Sequence, residues 1–290
     1  MKKTLFFAAA SMAAAILASC TKTQSAGPEI TDSESPIIFA AGGTFSAGVQ
    51  TKGSYDAVTS LARFYAAATK GTETETAIWS NSEFTKGSGD TYSGQRYWPA
   101  TDQQYNFYAA NEEITFTPAG VTVTCNDNKD LVCAYLPYQS GSFKAQNTLT
   151  FNHVQSRIGT CNISKPEGYE VSGLTVKITP RVRGIYNIKT GSWADAVDGS
   201  ETTLTNSLGS AADNNLYLLP GDYTLTASYT ISKGAEGEYS ETLTKTASVT
   251  LEAGKINNIS ATLPEGSAEE IVFKVAVTAW TVNSLTPEFS

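Results

Sequence analysis

The sequence holds a single histidine, His153, and four cysteines, Cys20, Cys125, Cys133 and Cys161, in 290 residues. Its two methionines, Met1 and Met12, both fall near the N-terminus. These scarcities remove whole classes of function. One histidine cannot supply a paired-histidine metal motif, and neither a Gly-x-Ser-x-Gly elbow nor a Walker loop is present. His153 follows Asn152 in a strand-like run, where a histidine reads as a structural hydrogen-bonder rather than a catalyst. The cysteine spacings do not form a zinc site. Asp127-Asn128-Lys129-Asp130 lacks the run of ligands a calcium loop needs and reads as a turn. Basic residues are also few, 20 Lys plus Arg against 28 Asp plus Glu, for a net charge of −8. The acids are scattered, which favours solubility, and without a basic patch no nucleic-acid partner is expected. The chain therefore reads as a non-enzyme with no cofactor and no metal site.

Apart from one N-terminal run, no apolar segment approaches membrane length. That run, Leu5 to Leu17, follows Lys2 and Lys3 and is shorter than the roughly 20 residues a helix needs to span a bilayer. A basic start, a short apolar stretch and small residues at the cut describe a secretory signal peptide over residues 1–19. Leu17-Ala18-Ser19-Cys20 resembles a bacterial lipobox, in which Cys20 is lipidated and becomes the first residue of the mature protein. The plainer alternative is an ordinary signal peptide cut after Ser19, with Cys20 left as a thiol. Residues 20–35 are rich in Thr, Ser, Gly, Pro and Glu and read as a flexible tether.

What the rest of the chain has in abundance is Thr, Ser, Gly, Tyr, Val and Ile, residues suited to pleated, half-buried surfaces and to turns. Ile37, Phe39 and Phe45 share one face of a first extended segment. Leu61–Ala66 has strand character, and Tyr105, Phe107 and Ala109 alternate with their neighbours. Leu131–Leu136 is apolar on both faces, as a central strand would be, and Pro137 ends it. Leu174, Val176 and Ile178 alternate. So do Tyr223, Leu225, Ala227, Tyr229 and Ile231, which pair naturally with Ala247, Val249 and Leu251. Ile271, Phe273, Val275 and Val277 form a last strand, after which Trp280 and Val282 take the opposite parity, the mark of a bulge or a change of partner. Residues 69–96 and 194–215 read as polar, loop-like stretches. Cys125 and Cys133 flank a turn-rich segment that either joins them in a disulfide or leaves them as buried thiols. Many short strands with frequent turns favour β-sandwiches. Two series give an N-terminal sandwich over 36–145 and a C-terminal one over 146–290.

Several short motifs carry a resemblance. They are the lipobox at Cys20, Thr51-Lys52, Tyr97-Trp98-Pro99, Ala134-Tyr135-Leu136-Pro137 and Leu149-Thr150-Phe151-Asn152-His153. Gly184-Ile185-Tyr186-Asn187, Tyr217-Leu218-Leu219-Pro220, Ala253-Gly254-Lys255 and Val277-Thr278-Ala279-Trp280 continue the series. In this order the chain resembles the fimbrillin-like proteins, lipoprotein-precursor subunits of type V pili in Gram-negative bacteria. The resemblance implies an all-β chain of two tandem transthyretin-like β-sandwiches. It implies a precursor anchored in the outer membrane through lipid on Cys20 and then cut by a trypsin-like surface protease, ending in a fimbrium at the cell surface. By position Lys52 is the matching cleavage residue; read without the resemblance it is an exposed turn lysine.

Cleavage there would remove the segment bearing Ile37, Phe39 and Phe45. The vacated groove and its open edge suit a strand from the next subunit. The donor segment is 271–290, with Ile271, Phe273, Val275 and Val277 as its apolar face, and head-to-tail contacts of this kind build a filament. The implied partners are other pilin subunits and, beyond them, a host or bacterial surface receptor. Stalk, tip and anchor roles stay open. The alternative is a monomeric outer-membrane surface lipoprotein binding glycans, with Trp79, Trp98 and Trp193 as stacking platforms.

Overall fold

The structure, a computed structural model, describes residues 35–43, 61–126, 129–138, 141, 143–234 and 238–280. Residues 1–19, read above as a signal peptide, and Cys20, Phe45, Lys52 and the stretch 281–290 lie outside the described residues. Among the described residues the secondary structure is strand and turn without helix, so the protein is all-β. In chain order the first nine strands are β1 (Pro36–Gly43), β2 (Arg63–Lys70), β3 (Thr76–Lys86), β4 (Thr91–Tyr97), β5 (Asn106–Ala110), β6 (Ile114–Thr117), β7 (Gly120–Cys125), β8 (Val132–Leu136) and β9 (Asn147–His153). There follow β10 (Ser156–Ser164), β11 (Glu170–Ile178), β12 (Arg181–Asn187), β13 (Ser192–Asp198), β14 (Thr202–Leu204), β15 (Ser207–Leu208) and β16 (Ala212–Leu218). The last four are β17 (Gly221–Lys233), β18 (Tyr239–Leu251), β19 (Lys255–Thr262) and β20 (Lys274–Ala279).

Seven strands of the first half close into a hydrogen-bonded ring in the order β1-β4-β3-β2-β5-β8-β9. Aromatic and aliphatic side chains at alternate positions fill it, among them Phe39, Phe64, Phe84, Phe107 and Phe151. Along β5, Phe107 and Ala109 face this interior, whereas Tyr108 and Ala110 join a second cluster with Val121 and Val123 of β7. That two-sided cover is why β5 is buried at all five positions. The doubly apolar run before Pro137 becomes β8, which lies between β5 and β9 as a central strand should.

The second half packs two sheets face to face. One has the order β15-β10-β19-β20, with β16 also paired to β10; the other runs β14-β11-β17-β18. The alternation read in Tyr223–Ile231 is fully used. All five odd-numbered residues are buried, and β17 pairs with β18 without a break from Gly221↔Leu251 to Lys233↔Tyr239. Leu225 and Ile231, fully buried, each contribute about 1.5–3 kcal/mol.

The two series are also stitched together. β12 pairs with β7, so the sheet β13-β12-β7-β6 takes strands from both, and β9 closes the ring of the first half by pairing with β8 and β1. The described residues form one compact unit.

Two stretches that read as polar loops are strands. Residues 69–96 hold the β3–β4 hairpin, and 194–215 hold most of β13 with β14, β15 and the start of β16. Their polarity reflects a solvent-facing side rather than absent structure. Along the 11 residues of β3 only Ser82 and Phe84 are buried, and backbone ladders carry the rest. The Cys125–Cys133 hairpin does not form either. β7 pairs with β6 and β12, while β8 pairs with β5 and β9, so the two cysteines sit in different sheets as buried thiols. Burial, with Cys125 and Asp130 nearby, pushes the Cys133 thiol well up, and burial alone raises that of Cys161 to about 11.

Candidate assembly site

β1 closes the ring between β4 and β9. It runs antiparallel to β4, with Ile38↔Ser93, Phe39↔Tyr92 and Ala40↔Thr91 in register. On its other side it runs parallel to β9, from Phe39↔Asn147 to Gly43↔Phe151. Pro36, which has no N–H to contribute, sits at the first position of the strand, where its absence costs least. Ile37 and Phe39 are completely buried. The Phe39 ring meets Phe84 and Phe107 edge-on at centroid distances of 5.0 and 4.9 Å, with Phe64 at 6.0 Å. β1 is thus both a wedge of apolar side chains and the piece that joins the edges of β4 and β9.

The candidate donor residues are placed differently. Ile271 and Phe273 precede β20 and are buried in the second core. Val275 is half-buried against that core and Val277 is exposed. Among the described residues β20 pairs with β19 alone, from Lys255↔Ala279 to Ser260↔Lys274, and ends its sheet. The register is unbroken, so the parity change at Trp280 comes from the end of the strand, not from a bulge.

Trp280 itself returns to the interior, and the reason was not legible in the sequence. Its ring lies flat on His153, with centroids 4.0 Å apart and planes 3° from parallel, and it also stacks near Tyr217 at 5.5 Å. His153 Nδ1 is 2.8 Å from Asp130 Oδ1, and both side chains are buried. The lone histidine is therefore a structural hydrogen-bonder, as its setting implied. Gly254 closes over the same place. Its φ of +62° suits glycine, and a Cβ there would come within 2.8 Å of the His153 carbonyl oxygen.

The three tryptophans named above as stacking platforms are packed to different degrees. Trp98 is buried and stacks on Tyr105 at 5.4 Å; Arg96 covers Trp79 at 5.4 Å; Trp193 is half-buried against Tyr186 at 4.9 Å.

Four motifs far apart in sequence, those ending at His153, Pro220, Lys255 and Trp280, converge on one junction. The model of the fimbrillin-like family matches residues 47–280. The chain belongs to the fimbrillin-like family. Among solved structures, a fimbrial protein from Bacteroides vulgatus is similar over 84% of this chain and 99% of its own, at 15% identity and a TM-score of 0.52. A candidate cell adhesion protein from Bacteroides ovatus is similar over 86% of this chain and 99% of its own, at 14% identity and a TM-score of 0.51. At these identities the likeness is one of fold. No curated protein matches the chain. The fimbrillin-like match begins after β1 and ends at Trp280, so it spans β2 to the His153 stack and leaves the wedge strand outside.

Proposed function

We propose that this fimbrillin-like chain is a fimbrial subunit, in the stalk or as an accessory or tip protein, that joins other subunits by protease-triggered donor-strand exchange and serves cell adhesion. The precursor is anchored in the outer membrane through lipid on Cys20. A trypsin-like surface protease cuts after Lys52, which lies in the connection between β1 and β2. Separated from the chain, β1 leaves, and the ring opens between β4 and β9. A host or bacterial surface receptor is the final partner.

The observation that carries this reading is the burial of Ile37 and Phe39 between two ladders. Their removal forfeits about 1.5–3 kcal/mol each and bares two strand edges at once. The segment 271–290 offers a matching shape, because Ile271-Val272-Phe273 repeats the spacing of Ile37-Ile38-Phe39. Lifting Ile271 and Phe273 from their own core costs about what the groove returns. The surplus comes from the backbone: β20 has one neighbouring strand at home and would have two between β4 and β9. A head-to-tail contact of this kind does not close, so it extends into a filament.

The test is a synthetic peptide of residues 271–290 added to protein cut at Lys52. The peptide should bind the cut protein, not the uncut one, and should cap it against forming higher oligomers. A peptide that ignores the cut protein, or binds both forms alike, would count against donor-strand exchange.

A further inference from the structure

β20 is fastened unevenly. It hangs from β19 by a single ladder, and of its six residues only Val275 packs against the second core. At its N-terminal side Ile271 and Phe273 are set into that core. At its C-terminal side the buried group among the described residues is Trp280, stacked on His153 at the end of β9 and on Tyr217 in β16. Among the described residues, peeling of β20 from its C-terminal side moves Trp280 first. His153 is the firm half of the contact: its backbone pairs with Val132 and its Nδ1 is bound to Asp130.

The contact is also closed at a cost. His153 Nε2 and Trp280 Nε1 are both buried without a hydrogen-bond partner among the described residues. With Nδ1 bound to Asp130, Nε2 and the indole N–H are the polar groups left at the stack. The rings lie parallel, so neither group can serve the other. Both give up hydration on closing and regain it on opening. Ring stacking holds the joint together while desolvation opposes it, as in a contact that opens more readily than its buried area implies.

We propose that the His153–Trp280 stack is a latch that retains the last strand on its own chain, and that its opening is the step that frees the C-terminal segment for another copy. This rests on the donor-strand reading above. The stack keeps an uncut subunit from offering its donor prematurely, and it sets how fast a cut subunit can give it.

Amide hydrogen exchange on the uncut, unlipidated protein, read by mass spectrometry, tests the latch without assembly. In the wild type, the amides of β20 should open locally, ahead of the β17–β18 hairpin. Trp280→Leu keeps apolar bulk and removes the ring stack. It should speed exchange across 274–280 by about tenfold or more while leaving β17–β18 and β2–β5 unchanged. Trp280→Tyr, which restores a stacking ring, should return exchange most of the way. Unchanged exchange in β20 overturns the latch. So does an equal loss of protection throughout, because Trp280 would then be a general core residue. After trypsin cleavage the leucine variant should assemble several-fold faster than the wild type. A wild-type protein that never assembles after cleavage counts against the donor-strand reading, and the exchange data alone then decide the latch.

Discussion

At the scale of single residues, the account turns on Phe39. It is fully buried and its ring meets three other phenylalanines. Phe39→Ala should lower the stability of the uncut protein by about 3–5 kcal/mol, measured by denaturant unfolding, because a large cavity opens inside a closed ring. Glu75 supports a pH prediction. Burial alone would raise its carboxyl. Hydrogen bonds from Lys189, Thr69 and Tyr108 outweigh that effect and hold it below the ordinary value of 4.5. A lowered folded value means the stabilisation is present in full above the unfolded value and is lost as pH falls through the folded one. Glu75→Gln should therefore cost about 1–3 kcal/mol at neutral pH. The gap to wild type should close below pH 4.5, as thermal unfolding across pH would record. At this scale the sequence spoke clearly about Ile37 and Phe39, whose alternation predicted burial. It was silent on Trp280, since neither its stacking partner His153 nor Tyr217 is near it in the chain.

At the scale of elements, strands were legible where one face is apolar. β17, β18 and β8 follow directly from alternation or from a doubly apolar run. β3 and β13 were not legible, because their side chains are mostly solvent-facing and their hold is the backbone ladder, which leaves no side-chain signature. The same logic makes β1 separable. Its eight residues bring two wholly buried side chains and two ladders, and it is joined to β2 only through the stretch that contains Lys52. A synthetic peptide of residues 35–52 should rebind the cut protein and restore its thermal stability, and the same peptide carrying alanine at Phe39 should restore far less. Equal rescue by both peptides would mean that the groove does not read the β1 side chains.

At the scale of the whole molecule, the ring and the paired sheets set two sites apart with different tasks. In the proposed exchange one site would lose a strand and the other would give one; β9 borders the first and ends at the His153 stack of the second. The family motifs were visible in the sequence as separate words. Only the fold shows that those ending at His153, Pro220, Lys255 and Trp280 meet at one junction, because the strands that carry them are joined through long-range pairing. The central claim is that removing the first strand converts a closed monomer into a subunit that both receives and donates. Limited trypsin digestion of the purified, unlipidated protein, followed by mass spectrometry and sizing, tests it most directly. The account predicts preferential release of a fragment ending at Lys52, an otherwise intact remainder, and growth of that remainder into higher oligomers. A remainder that stays monomeric once the first strand has left, or a chain that resists cutting at Lys52 while sites elsewhere are cut, would contradict it.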